Sequence, residues 1–353
     1  MGQGVWYATM EAVTGAIDIA ETARNSVQIR RAVASSSRLI DGTRQGEGCL
    51  HRRFYPEVAT RYFDSVNSDP LWTLLLGRHE LVSATSVVSG ATTIASSDYI
   101  LQPTNEGPPF DQIDLKTSVY GAWPGGENQR GIAVTGVWAG CRLDETAGGA
   151  LAAAITDTTG TTVAVTDSAS VGVGSLVRVD NERMIVTNKS QITTGQSLQT
   201  PMTAAMNNQA CAVSNGAAFT IGEVILADAE KMRVVDIAGN TLVVLRAWDG
   251  SALAAHTGST IYARRSLTVE RGVLGTTAAT HSGAAPIFVH VVPAPVEALC
   301  VAESVNTIQQ ELGAYGRSSG AGESASIVAM GGLQAIRDEA EKTYGRPVLW
   351  IAD

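Results

Sequence analysis

Two internal duplications constrain this chain more than any other feature. Residues 163 to 186 (VAVTDSASVGVGSLVRVDNERMIV) align without a gap on residues 211 to 234 (CAVSNGAAFTIGEVILADAEKMRV), 48 positions later, with eight of 24 positions identical. The identities pair Ala164, Val165, Ala169, Gly174, Asp180, Glu182, Met184 and Val186 with Ala212, Val213, Ala217, Gly222, Asp228, Glu230, Met232 and Val234. Downstream, residues 242 to 258 (LVVLRAWDGSALAAHTG) match residues 267 to 283 (LTVERGVLGTTAATHSG), sharing Leu, Val, Arg, Gly, Ala, His and Gly at the same spacings. A segment used twice is a supersecondary unit that must meet the same contacts in both places. Both pairs alternate apolar and polar residues, and Gly239-Asn240 between two such runs has the permissive backbone of a two-residue hairpin turn. The region 148–290 is therefore expected to be an inserted, repeat-built β domain.

The flanks read differently. Residues 9 to 42 predict an αα-hairpin: Met10, Val13, Ile17 and Ala20 fall at helical spacing behind a Thr9 cap, and Ile29, Ala32, Val33, Ser36 and Ile40 form a second stripe behind Asn25. From 54 to 140 the period shifts towards two, with strands expected at 59–64, 80–90, 92–103, 112–115 and 131–139 in one small antiparallel sheet. Beyond Pro293 and Pro295, Val301, Val305, Ile308 and Leu312 make one stripe and Leu299 and Ala302 another, so this helix must be covered on two sides. A last helix, from Ser326 to Tyr344, is closed by Gly345 with Pro347 two residues on.

The expected fold is α+β, with N- and C-terminal helices as the core, a small antiparallel β sheet beside them and the repeat domain inserted between. Its parts are 1–147, 148–290 and 291–353. At 353 residues, more than one compact unit is expected. The 36 glycines and few aromatics (5%) favour turn-rich β structure. No apolar run approaches the roughly 20 residues of a membrane-spanning helix, and the start lacks the pattern of a signal peptide. Cys49, Cys141, Cys211 and Cys300 lack C-x-x-C spacing and read as free core thiols. The formal charge of −9 argues against a protein that grips phosphates, and suits a conduit wall along which a duplex slides.

Standard catalytic signatures are missing, and no catalytic, metal or cofactor residue is expected. His256 and His281 occupy equivalent places in the duplicated hairpins, which favours a repeated structural role over a metal pair. Arg246 and Arg271 are expected to pin local turns through backbone carbonyls. Asp180 with Glu182, and Asp228 with Glu230, form D-x-E pairs read as a hairpin turn and solvated strand face rather than a calcium site. Eight arginines lie between 24 and 61, among them Arg30, Arg31, Arg52 and Arg53. They are read as contacts to acidic groups of neighbouring subunits or a docking partner, ahead of a DNA-facing patch. The apolar cluster Val348, Leu349, Trp350 and Ile351 follows the final helix stop and suits a partner's groove.

The segment YATMEAVTGAIDIAETARNSVQIRRAVASSSRLIDG, whose helix pair ends in S-R-x-I-D at Ser37 to Asp41, leads into R-R-F-Y-P and RRFYPEVATRYFD (52–64). This pattern resembles the head-tail connector, or adaptor, proteins of long-tailed double-stranded DNA bacteriophages, especially those infecting actinobacteria. It covers 6–140 and 291–345. The resemblance implies a non-enzymatic virion protein at the neck, made in the host cytoplasm. It further implies a homo-oligomeric ring, commonly twelve-fold, whose helical core sits beneath the portal protein. The opposite face would receive a neck stopper or tail terminator protein, while genomic DNA passes through without specific binding. Within that expectation Val301, Val305, Ile308 and Leu312 mark the subunit interface, with Arg30, Arg31, Arg52 and Arg53 as secondary contacts, and Val348 to Ile351 dock on the portal. The insert 148–290 departs from the minimal connector. A tail-fibre or baseplate protein would share the β repeats, and a carbohydrate hydrolase would need a cleft with paired carboxylates.

Overall fold

The computed structural model describes residues 4–17, 23–42, 49–64, 70–125, 129–312 and 323–345, leaving out the side chains of 23–25, 312 and 323–331. The helical flanks follow their periodicity: α1 (Met10–Ile17), α2 (Ala23–Asp41), α3 (Ala294–Leu312) and α4 (Glu323–Tyr344). Thr9 Oγ1 accepts the Ala12 N–H at 3.1 Å, capping α1, and Gly345 N donates to Glu341 O at the end of α4. The four helices share one core, in which Trp6, Tyr7, Val13, Ile29, Val33, Ile40, Leu50 and Phe54 meet Val296, Leu299, Cys300 and Ile308.

The chain is mostly β, however, and this corrects the expected fold class. Strands hold 37% and helices 20%, so the helices do not form a ring-building core with a small sheet attached. The physical reason lies in how the strands pair. The segment 54–140 makes two sheets. One joins β1 (Glu57–Phe63), β3 (Leu81–Ser89), β4 (Thr92–Ile94) and β7 (Ile132–Trp138) in the order β1-β7-β3-β4. The other joins β2 (Thr73–Leu75), β5 (Tyr99–Gln102) and β6 (Gln112–Leu115) in the order β2-β6-β5. They share a core around Leu81, Ile113, Ile132 and Trp138.

A ten-stranded antiparallel sheet takes the rest. It starts before the expected insert boundary, because the small-residue stretch Asp144–Ala150 becomes edge strand β8, paired with β17 (Pro286–Val291). Between them run β9 (Thr162–Ala164), β10 (Leu176–Val179), β11 (Glu182–Ser197), β12 (Ala210–Ala212), β13 (Val224–Ala227), β14 (Glu230–Ala238), β15 (Thr241–Leu245) and β16 (Thr260–Glu270).

The duplications are nested. Unit two is contiguous and consists of β12 to β15. Unit one is split: β9, β10 and the first half of β11 come before unit two, and the second half of β16 comes after it. Their registers coincide residue for residue. Val186 pairs Val269 and Asn188 pairs Thr268 across a bulge, just as Val234 pairs Val244 and Asp236 pairs Val243. Val177 opposite Met184 repeats as Ile225 opposite Met232, and Val163 opposite Leu267 repeats as Cys211 opposite Leu242. At the place where unit two closes on Gly239-Asn240, unit one opens to admit unit two. Each unit has its own core, around Val177, Met184 and Leu267 in the first and Ile225, Met232 and Leu242 in the second. Two complete cores explain why β structure dominates.

Candidate functional site

The duplicated Asp, Glu, Arg and His residues converge in both units. In unit two, Glu230 is fully buried and accepts from Arg246 Nε at 2.7 Å and Nη2 at 2.9 Å, and from the N–H groups of Ala247 and Ala254, each at 2.9 Å. His256 lies between the two acids, with Nε2 2.9 Å from Glu230 Oε2 and Nδ1 2.7 Å from Asp228 Oδ2. Unit one repeats this: Glu182 accepts from Arg271 Nε at 2.8 Å and Nη2 at 2.7 Å, from Gly272 N at 3.0 Å and from Ala279 N at 2.9 Å. His281 spans Glu182 and Asp180, both at 2.8 Å.

The D-x-E pairs are therefore not a solvated strand face. Asp180 and Asp228 sit at φ 50° and 51°, which takes them out of the strand alternation and leaves them exposed in the turn. The glutamates open β11 and β14 and point inward. Burial pushes the Glu182 and Glu230 carboxyls up, but the Arg271 or Arg246 guanidinium, the backbone N–H groups and the histidine outweigh it and hold each at about 2. The arginines also reach carbonyls, Arg246 Nη1 at Thr203 O and Asn208 O (both 3.0 Å) and Arg271 Nη1 at Asp157 O (3.0 Å). With five donors on each glutamate, the clamp is filled by the chain itself. Among the described residues, no group of three or more His, Cys, Asp or Glu could hold a metal ion. The signal for this clamp in the sequence is the recurrence of D-x-E in one duplication and R…H in the other.

The nominated arginines also find partners within the chain. Arg31 Nη2 lies 2.6 Å from Glu311 Oε2, Arg52 Nη2 3.2 Å from Glu80 Oε1, and Arg53 Nη1 2.7 Å from Glu57 Oε2. Arg61 shares Glu57 at 2.9 Å and stacks over the Trp138 ring. Arg30 Nη1 donates to Thr187 O at 2.6 Å, joining α2 to the bulge in β11. The acids expected from neighbours are here the chain's own.

The α3 stripe divides. Ile308 is buried in the chain's own core and offers no surface to a neighbour, while Val301 and Val305 lean half-buried on the same core. Cover comes from α2 on one side and α4 on the other, where Arg337 Nε donates to Glu303 Oε1 at 2.5 Å. The side chain of Leu312, and all of Val348, Leu349, Trp350 and Ile351, lie outside the described residues. Cys141, Cys211 and Cys300 are buried free thiols and Cys49 is half-buried, with burial pushing each thiol up, Cys141 to about 12.

An open groove of about 520 Å³ runs between the units, lined by Thr166, Asp167, Thr193, Thr194, Thr220 and Arg265. Its one cation is committed to Glu223, which Arg265 reaches from Nε at 2.7 Å and Nη2 at 2.6 Å. Comparison of the chain with protein-family models, curated proteins and solved structures gave no match.

Proposed function

We propose that this chain is a virion structural protein, one subunit of an adaptor ring beneath the portal of a tailed bacteriophage. In this reading the ring extends the DNA channel and offers a platform to the next neck or tail protein. One observation carries it. The residues on which the resemblance rests, Ile29, Ala32 and Val33 before S-R-x-I-D, Ile40 within it and Phe54 in R-R-F-Y-P, are buried together with Val296, Leu299 and Cys300 from the C-terminal part of the chain. The helical parts of the resembling segments thus pack as one unit, while the strands between 57 and 138 have a core of their own. A net charge of −9 fits a wall that DNA passes without adhering.

The test is the mass and electron-microscopic image of the full chain mixed with portal protein. About twelve copies in a ring under the portal are expected, commonly the number in the resembling family; one or two copies, or no association with portal, would sink the reading. Removing residues 346–353 is expected to abolish portal docking without unfolding the subunit. A second reading, a tail-fibre or baseplate protein, draws on the ten-stranded sheet, and three copies would favour it.

A further inference from the structure

The two units share a register but not an environment. In unit one, the loop 172–174 and the bulge at Thr187 and Asn188 are covered by the N-terminal segment and α2. Val173 is only 2% exposed; its N–H donates to Glu11 Oε2 at 2.8 Å and its carbonyl accepts from Met10 N at 2.9 Å. A Cβ on Gly174 would lie 2.4 Å from the Trp6 ring, so the indole rests directly on this backbone. Arg30 completes the seam, with Nη1 on Thr187 O at 2.6 Å and Nη2 on Asn188 Oδ1 at 3.4 Å.

Unit two presents the same surface uncovered. Ile221, at the Val173 position, is 55% exposed, and Val235, at the Thr187 position, is 38% exposed. A Cβ on Gly222 would meet only Ala169, at 3.8 Å. Asp236 stands where Asn188 receives Arg30; it is exposed and accepts the adjacent Ile237 N–H at 2.8 Å. Arg233, at the Ile185 position, lies over the Trp248 ring. The surface that seats a helix-bearing segment in unit one is therefore open in unit two, with an acid in place of a neutral acceptor.

We propose that this face of unit two docks a second copy of the chain, through the outward side of that copy's α2. Trp6, Glu11 and Arg30 of any copy already cover its own unit one, so a different surface must serve. On α2, Val27 is 66% and Leu39 47% exposed, and Arg31 and Arg38 are exposed beside them. Arg31 is held by Glu311, which leaves Arg38 and the adjacent Leu39 as an exposed basic and apolar pair near the end of the helix. Apolar Ile221 and Val235, brought side by side by the Gly222 N–H on Val234 O, match Leu39, and the Asp236 carboxylate next to Val235 matches Arg38 next to Leu39. The two surfaces differ, so the contact is heterologous, and such contacts close into rings when the rotation allows. Ring closure rests on the adaptor reading; the contact does not.

Ile221→Glu and Asp236→Arg change exposed positions, so the melting temperature should hold while self-association of the full chain, read as concentration-dependent mass, weakens about tenfold or more. Arg38→Glu should weaken it alone and restore it when combined with Asp236→Arg. Oxidising a mixture of tagged Leu39→Cys and untagged Val235→Cys chains should give an interchain disulfide between the two kinds of chain. Unchanged association in the variants, or no interchain disulfide, overturns this inference, and a twelve-copy ring with portal would then leave the adaptor reading standing. A wild-type chain that stays monomeric both alone and with portal overturns both.

Discussion

Arg271 grips Glu182 across 89 residues of chain, whereas its counterpart Arg246 grips Glu230 across only 16, although each arginine reaches its glutamate through the same Nε and Nη2 atoms. The difference is the whole of unit two, which lies between the partners of the first clamp and outside the second. The Glu182 clamp therefore ties together the end of the β11–β16 hairpin that lies away from the opening at Ser190 and Ser266, where unit two enters.

Arg271→Met would leave the Glu182 carboxylate buried without its cation, which costs about 3–5 kcal/mol. Urea unfolding is the measurement. Replacing both residues by apolar ones of similar volume is expected to recover most of the loss, since the pair's net worth is small once neither charge is stranded. A loss below about 1 kcal/mol for Arg271→Met would mean that Glu182 is solvated in the folded chain.

Glu182 and Glu230 are held at about 2 in the folded chain against an ordinary 4.5, so between these values the unfolded chain binds more protons than the folded one. Their contribution is complete above pH 4.5 and lost as pH falls towards 2. Unfolding midpoints taken from pH 6 to 2 should drop steeply below 4.5. Glu182→Gln should flatten that slope, and an equally steep profile in the variant would assign acid lability to other groups.

The nested registers predict that unit two can be removed. Deleting 191–265 and joining Ser190 to Ser266 through Gly-Asn reproduces the turn Ala238-Gly239-Asn240-Thr241, and the new Asn carbonyl stands where Asn240 O receives the Val213 N–H. Val165 N, which donates to Arg265 O in the intact chain, gains that acceptor. The shortened chain should unfold in a single cooperative transition, and an unfolded or molten product by near-UV circular dichroism would argue against independent units.

Gly174 and Gly222 are equivalent, with φ 101° and 94°, but only Gly174 carries the Trp6 ring. Alanine at either position meets the backbone cost of a positive φ, about 1 kcal/mol. Gly174→Ala must also displace the indole, so it should destabilise distinctly more than Gly222→Ala in parallel thermal melts. Equal losses would mean that Trp6 does not rest on unit one.

Helical periodicity is local, and it placed the four helices because each stripe lies within one segment. The repeat spacing likewise marked both units, and the hairpin turn at Gly239-Asn240 marked where the second one closes. Strand partners are not local. Nothing in Asp144–Ala150 signals that it pairs with Pro286–Val291, and nothing in 54–140 signals two sheets rather than one, so the extent of β structure is not legible in local patterns. Ile308 makes the same point: a stripe shows that a face must be covered, not whether the cover comes from α2 and α4 or from a neighbour.

The amino-acid sequence by itself determined that one β unit is used twice, because the same residues recur at the same spacings and the unit's internal pairing repeats with them. Only the tertiary structure decided that one copy sits inside the other, that Glu182 waits 89 residues for its arginine, and that Val173 is covered while Ile221 is bare. Nesting, burial and cover depend on which surfaces meet in space, and a linear pattern specifies the surfaces without specifying the meeting.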